Sequence, residues 1–177
     1  MNLFLWGALP YIAFTFLIVG TLVRFFYFER NWTTKSSEFL EKKQLRIANP
    51  LFHFGLLCVI GGHVVGVLIP KTWTAAIGIN DHMYHQGALY MGAVAGIIFI
   101  VGFLLLMKRR FTVPAMKVNT SGLDKWLYLF LTLAIFSGMA GTLLNASGFF
   151  DYRVSIGPWF RSLISFMPDP SLMEGVP

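Results

Sequence analysis

The chain has 177 residues, of which 56% are hydrophobic and only 12% are charged, and its mean hydropathy is +0.66. Because soluble domains average about 25% charged residues, these values exclude an ordinary soluble domain and indicate a membrane protein. A single cysteine, Cys58, excludes a disulfide framework, a CxxC metal site and a cysteine-ligated iron–sulfur cluster within the chain. The net charge of +6 does not indicate nucleic-acid binding, because the basic residues border apolar runs, as membrane topology requires.

Four windows are long and apolar enough to cross the roughly 30 Å hydrocarbon layer as helices. They cover residues 3–23, 51–69, 87–107 and 126–144. The amino terminus lacks the basic region of a cleaved signal peptide and leads directly into the first window, so we treat it as part of the structure. We therefore predict an all-α membrane protein, a single domain over residues 1–177 that forms a transmembrane helical bundle with four spans.

The last segment, residues 145–177, contains charged residues and four prolines and is predicted not to span the membrane. Within it, the stretch "GPWFRSLISF" has its aromatic and aliphatic residues at roughly helical spacing after Pro158. This pattern favours a short helix lying in the membrane interface. A soluble docking surface is the alternative.

The distribution of Lys and Arg predicts the orientation. Six lie between the first two windows and five between the last two, whereas only Lys71, Arg153 and Arg161 lie on the opposite side. Basic loops face the cytoplasm, so we predict a multi-pass protein of the cell inner (cytoplasmic) membrane. Its amino terminus and residues 145–177 lie outside, and the loops 24–49 and 108–125 lie in the cytoplasm.

The first cytoplasmic loop, "ERNWTTKSSEFLEKKQLRIAN", is predicted to form a short helix in which Glu38 and Lys42 pair at i,i+4. Such a charged loop is either simply solvated or docks a cytoplasmic partner.

Two histidines, His53 and His63, lie inside the second apolar window. Ten residues of helix give about 15 Å of rise and leave the two rings about 80° apart, so they cannot bind the same metal ion. One reading is that each ring only bonds a backbone carbonyl or a neighbouring helix. A proton relay would need further titratable groups, and the four windows offer almost none.

A ligand that binds neutral imidazole is the third reading, because ionisable side chains within spans are rare and usually functional. Heme suits the pattern, since its iron takes the Nε2 lone pair while the porphyrin packs against apolar side chains. The spacing of His53 and His63 then favours two hemes, one in each leaflet.

Glycines in the same window form a stripe of Gly55, Gly62 and Gly66, which close helix packing explains. The same explanation applies to Gly92 and Gly96 in the third window and to Ser137 and Gly141 in the fourth. Only Gly62 and Gly66, on the flank of His63, are also placed to border a porphyrin.

The stretch "NPLFHFGLLCVIGGHVVGVLIP" (49–70), with "PYIA" (10–13) and "LLLMKRR" (104–110), resembles the gamma subunit of respiratory nitrate reductase, a diheme membrane cytochrome b. The resemblance covers essentially the whole chain. It implies that His53 is an axial ligand of the heme b nearer the cytoplasm and that His63 is an axial ligand of the heme b nearer the outer face.

The resemblance also implies a role in anaerobic respiration. Quinol is oxidised near the outer heme and its protons leave outward. Electrons then pass through both hemes to an iron–sulfur beta subunit and a molybdenum alpha subunit. The alpha subunit, not this one, reduces nitrate.

Members of this family carry a fifth transmembrane helix, whose histidines complete the coordination of both hemes. The chain has only His53, His63, His82 and His85 and ends at Pro177. The expectation from this comparison is a truncated product or fragment in which each heme lacks its second axial ligand.

His82 and His85, at the outer mouth of the third window, are either two solvated loop histidines or part of the quinol pocket. In the pocket they would accept a hydrogen bond or a proton as the quinol hydroxyl is oxidised. The quinol-site lysine of the family has no lysine counterpart here, and Tyr84 or His85 falls near its position.

Two other functions stay open at this stage. One is the cytochrome b subunit of another respiratory reductase. The other is a heme-free membrane adaptor or transporter, although the broken helices and internal repeats usual in transporters are absent from the sequence.

Overall fold

A computed structural model describes residues 2–28, 38–174 and 176 of the chain. Within these residues a π-helical turn (Phe4–Ala8) is followed by seven α-helices, and a 3₁₀ turn (Pro170–Met173) lies near the end. The α-helices are α1 (Leu9–Tyr27), α2 (Lys43–Leu68), α3 (Lys71–Ala76), α4 (Asp81–Thr112), α5 (Pro114–Val118), α6 (Gly122–Ala146) and α7 (Ile156–Ile164). The described part of the chain contains no strand, which confirms the all-α prediction.

Four helical segments are long and apolar enough to cross a membrane: Phe4–Tyr27, Lys43–Leu68, Asp81–Thr112 and Gly122–Ala146. They confirm the four predicted spans. Each helix extends beyond its apolar window; α4, with 32 residues, is about 48 Å long and exceeds the roughly 30 Å hydrocarbon layer. The extra turns carry polar residues that the sequence windows exclude.

Two compact units are formed by the contacts within the chain, one from residues 1–35 with 151–177 and the other from residues 36–150. The single domain over residues 1–177 stays a prediction.

In the unit of residues 36–150, α2 and α4 pack against each other in antiparallel orientation. Gly55 of α2 lies against the backbone of Phe99, and Gly102 of α4 lies against the backbone of Phe52. The rings of Phe52 and Phe99 are 5.1 Å apart, and Phe103 completes the buried cluster. Small residues at the crossing point therefore let the two backbones meet, and large rings fill the space beside them.

The glycine prediction is confirmed at some positions and wrong at others. Gly55 and Gly66 are buried, and Gly96 of α4 lies 3.6 Å from the Met139 sulfur of α6, measured to an ideal Cβ position. At Gly62, Gly92 and Gly141 an added Cβ would meet no atom of the described residues within 4 Å. Close packing among the described residues does not explain these three glycines.

The first cytoplasmic loop differs from its prediction. Glu38 and Lys42 form the expected ion pair at 3.5 Å, but residues 38–40 form a turn and α2 begins only at Lys43. A helix over 38–42 is therefore wrong, and residues 29–37 of this loop lie outside the described residues.

In the other unit, α7 confirms the short helix predicted after Pro158, although it begins two residues earlier, at Ile156. It is held against the amino-terminal helix by two hydrogen bonds. The Trp159 indole donates to the Trp6 carbonyl at 2.7 Å, and the Tyr11 hydroxyl donates to the Leu163 carbonyl at 2.8 Å. Phe166, which follows α7 with a φ of 57°, stacks on the Tyr11 ring. The placement of α7 in the membrane interface stays a prediction.

Candidate functional site

The two histidines of α2 are each held by the turn of helix that precedes them. Nδ1 of His53 lies 2.9 Å from the Asn49 carbonyl oxygen, and Nδ1 of His63 lies 2.7 Å from the Val59 carbonyl oxygen. A carbonyl only accepts hydrogen bonds, so the proton of each neutral ring sits on Nδ1. Each Nε2 therefore carries a lone pair, and among the described residues neither Nε2 has a hydrogen-bond partner.

The packing of α2 on α4 decides where these lone pairs point. At 100° per residue, His53 lies about 160° around α2 from Gly55, and His63 lies about 80° around. Gly55 marks the side that meets α4. His53 is thus on the opposite face and His63 on the flank, and both side chains are exposed.

The hydrogen bonding of His53 and His63 suits two ligands of heme iron. Histidines that bind a metal usually donate the other ring N–H to a carbonyl or carboxylate, which fixes the tautomer and the ring orientation, and both rings do so here. The face of His53 also presents Leu57 and Ile60, which are 67% and 50% exposed and supply apolar surface. The described residues contain no group of three or more His, Cys, Asp or Glu side chains that would bind a bare metal ion. A heme iron needs no such group, because the porphyrin provides four of its ligands.

Two glycines near His63 have no close neighbour among the described residues. The register that sets Gly55 against Phe99 aligns Gly62 with Gly92, seven residues further along α2 and seven back along α4. An added Cβ at either glycine would meet no atom of the described residues within 4 Å, whereas Gly66, one turn further along α2, is buried. Gly62 therefore leaves room beside the flank that carries His63.

His82 and His85 lie in the first two turns of α4 and not in a loop, which corrects one of the two readings of them. The turn is capped by Asn80, whose side chain accepts a 2.8 Å hydrogen bond from the Met83 N–H. His82 is exposed and His85 is half-buried. Because α2 and α4 are antiparallel, both lie towards the end of the pair that also carries His63.

An ion pair at this end was not anticipated from the sequence. Lys71, the first residue of α3, lies 3.5 Å from Asp81, the first residue of α4. In the sequence, Lys71 is only one of three cations on the predicted outer side. Its place directly after Pro70, where α2 has ended, was the available signal that it could turn back towards the next helix.

The opposite end of α4 is fixed by two adjacent arginines. Arg109 is 4% exposed and donates from Nε to a Glu41 carboxylate oxygen at 2.8 Å and from a terminal nitrogen to the Glu41 carbonyl at 2.6 Å. Arg110 donates to Asp124 at 2.7 Å, and Asp124 also closes the capping box of α6. The segment before α2 and the start of α6 are thereby both attached to α4.

The carboxyl group of Glu41 is held in its charged form. Its pKa lies below the ordinary value of 4.5, because it accepts a 2.9 Å hydrogen bond from the Gln44 N–H and a further hydrogen bond from Arg109, which outweigh the effect of burial.

Comparison with known proteins identifies the family. The family model described as "Nitrate reductase gamma subunit" matches residues 2–177. The chain belongs to the nitrate reductase gamma subunit family. Among its relatives, the nitrate reductase gamma chain of Bacillus subtilis is 47% identical over 174 residues, which are 98% of this chain and 78% of that protein.

Two further relatives are more distant. The respiratory nitrate reductase 1 gamma chain of Escherichia coli is 31% identical over 143 residues, 81% of this chain and 62% of that protein. The nitrate reductase-like protein NarX of Mycobacterium tuberculosis is 39% identical over 175 residues, but these are only 27% of its length.

The family confirms the resemblance seen in the sequence. The chain is a membrane cytochrome b component of nitrate reductase, an oxidoreductase complex, and belongs to a heme-binding family. A cytochrome b subunit of an unrelated reductase and a heme-free adaptor are not favoured by this match.

Proposed function

We propose that the chain oxidises quinol near the outer face of the cell inner (cytoplasmic) membrane and passes the electrons inward through two hemes b. The partners that receive them are the iron–sulfur beta subunit and the molybdenum alpha subunit, where nitrate is reduced. The observation that carries the proposal is the pair of oriented imidazoles on α2, each with its Nδ1 bonded to a backbone carbonyl and its Nε2 lone pair unused among the described residues.

His53 and His63 are the proposed axial ligands. The carbonyls of Asn49 and Val59 hold the two rings in the tautomer that presents Nε2 outward. Heme iron, when bound, accepts one electron at a time and passes it on.

The spacing of the two ligands suits transfer across the membrane. Ten residues of α2 separate them by about 15 Å along the helix axis, roughly half of the hydrocarbon thickness. One ligand then lies in each leaflet. Exposed apolar side chains of α2 such as Leu57 and Ile60 exclude water from the face that carries His53.

Quinol oxidation is proposed to occur beside His63. The absence of close neighbours at Gly62 and Gly92 among the described residues supports this placement. Each quinol releases two electrons and two protons as it becomes quinone. His85, half-buried in the second turn of α4, accepts a proton from the hydroxyl, and the exposed His82 beside it passes protons to external water.

The orientation is the one that the cations predict. Eleven of the 14 Lys and Arg residues lie in or beside the loops 24–49 and 108–125, which face the cytoplasm. The partner subunits dock on that side, and the protons leave on the other.

The proposal is tested in membranes that contain the complete complex. We expect His63→Ala to abolish nitrate reduction driven by quinol. Nitrate reduction driven by a low-potential dye that reduces the partner subunits directly should persist. Val64→Ala, an exposed neighbour on the same helix, is the matched control and should retain both activities. Full quinol-driven activity in His63→Ala would overturn the proposal.

A further inference from the structure

A cation on α2 lies in line with His53 and pairs with no carboxylate among the residues that the structure describes. Arg46 precedes His53 by seven residues, which on an ideal helix is about 10 Å along the axis and about 20° around it. Pro50 lies between them and α2 continues through it. Both residues belong to the continuous helix Lys43–Leu68 and both are exposed. Arg46 is therefore the residue that extends the His53 face towards the cytoplasmic end.

The carboxylates at this end are already occupied. Among the described residues they are Glu38, which pairs with Lys42; Glu41, which pairs with Arg109; and Asp124, which pairs with Arg110. The guanidinium of Arg46 makes no ion pair or hydrogen bond with any residue that the structure describes. A guanidinium at the edge of a hydrocarbon layer is most stable against an anion, and a carboxylate can bind its planar fork with two hydrogen bonds.

We propose that Arg46 binds a propionate of the heme held by His53. This inference rests on the proposed function. A b heme carries two propionate groups on one edge. These carboxylates are stable only where they contact water or a cation. The nearest water to His53 lies at the cytoplasmic end of α2. If the propionate edge of the heme points towards that end, it lies on the same face of α2 as Arg46.

Neighbouring cations are less suited. Lys43 lies about 80° around α2 from His53, and Lys108 belongs to α4, which packs on the opposite side of α2 from His53. Lysine also presents a single charged group where arginine presents a planar fork. The proposed contact thus selects one residue among several exposed cations.

The contact has an electrostatic signature. A cation beside the propionate favours the reduced heme, because reduction adds one negative charge to the group. Removal of that cation should lower the midpoint potential of the inner heme and leave the outer heme unchanged, since the two ligands are about 15 Å apart along α2.

The experiment is a redox titration of the complete complex, with the inner heme identified as the spectral component that His53→Ala removes. In Arg46→Gln, we expect the ratio of ferrous to ferric inner heme at a fixed ambient potential to fall about tenfold, which is 59 mV for a one-electron couple. Arg46→Lys should recover part of the shift. Lys43→Gln removes the same charge one turn away on another face of α2. It should leave the midpoint potentials of both hemes unchanged.

The outcomes separate this inference from the function on which it rests. Arg46→Gln supports the contact if it loses the spectral signal of the inner heme while keeping that of the outer heme. A lowered midpoint potential of the inner heme supports it equally. An unchanged potential in Arg46→Gln, or an equal shift in Lys43→Gln, overturns it, and the first result points to lipid phosphate as the partner. If the inner component persists in His53→Ala, the proposed function itself fails.

Discussion

The close approach of α2 and α4 at Gly55 makes a quantitative prediction. A Cβ added at this position would lie 2.5 Å from the Phe99 backbone nitrogen and 2.6 Å from its Cα. Non-bonded carbon contacts are most favourable at about 3.5–4.0 Å, so the two helices must separate by about 1 Å to accept the methyl group. The neighbour is backbone, so no side-chain rotation can relieve the contact.

The matched substitution is Gly61→Ala, where an added Cβ meets no described atom within 4 Å. Both changes gain the same helix propensity, so their difference isolates the packing effect. Overpacking costs about 1–3 kcal/mol. For a chain of this size, about 2–4 °C in melting temperature corresponds to 1 kcal/mol. Gly55→Ala should therefore melt about 2–12 °C below Gly61→Ala.

The assay is thermal unfolding of the detergent-solubilised full-length protein, followed by tryptophan fluorescence. If the two variants melt within one degree of each other, the helices do not meet at Gly55 and the face assignments of His53 and His63 lose their basis.

Three further predictions concern charged and polar groups. Because the pKa of Glu41 is lowered in the folded chain, its contribution to stability is fully present above its ordinary value of 4.5 and is lost as the pH falls through the folded value. The stability difference between the wild type and Glu41→Gln should therefore stay constant from pH 7 to about pH 4.5 and shrink as the pH falls further in thermal melts. A difference that stays the same below pH 4.5 would contradict this. Asp124→Ala removes both the acid of the α6 capping box and the partner of Arg110, and should lower the unfolding free energy by about 1–3 kcal/mol in denaturant titrations. Asp124→Asn, which keeps a side-chain acceptor, should lose less. His85→Ala should slow quinol oxidation in stopped-flow measurements with unchanged heme spectra, and wild-type kinetics would remove His85 from the pocket.

The membrane spans could be predicted from sequence because the hydrocarbon layer dictates both length and composition. The histidine pair on α2 was equally visible, since an ionisable ring in an apolar window stands out against its neighbours. What the windows could not give was the crossing point of the helices. Gly102 and Gly92 lie on the same span, yet only Gly102 meets the facing backbone.

Long-range pairings were beyond the sequence for a related reason. In the sequence, Arg109 is one of several basic residues in a loop. Its burial depends on its contact with Glu41, a residue 68 positions away. Local patterns carried more information where both partners belong to one turn. The Glu38–Lys42 pair is an example, although the helix expected to hold it begins only at Lys43.

The central claim is that His53 and His63 each hold one heme b, and a count of heme per chain tests it most directly. The complete complex should be purified as wild type, as each single alanine variant and as the double variant, with His82→Ala as the control, and its heme measured against subunit amount. The account predicts two hemes in the wild type and the control, one in each single variant and none in the double variant. Two hemes retained in either single variant, or a wild type that binds none, would contradict it.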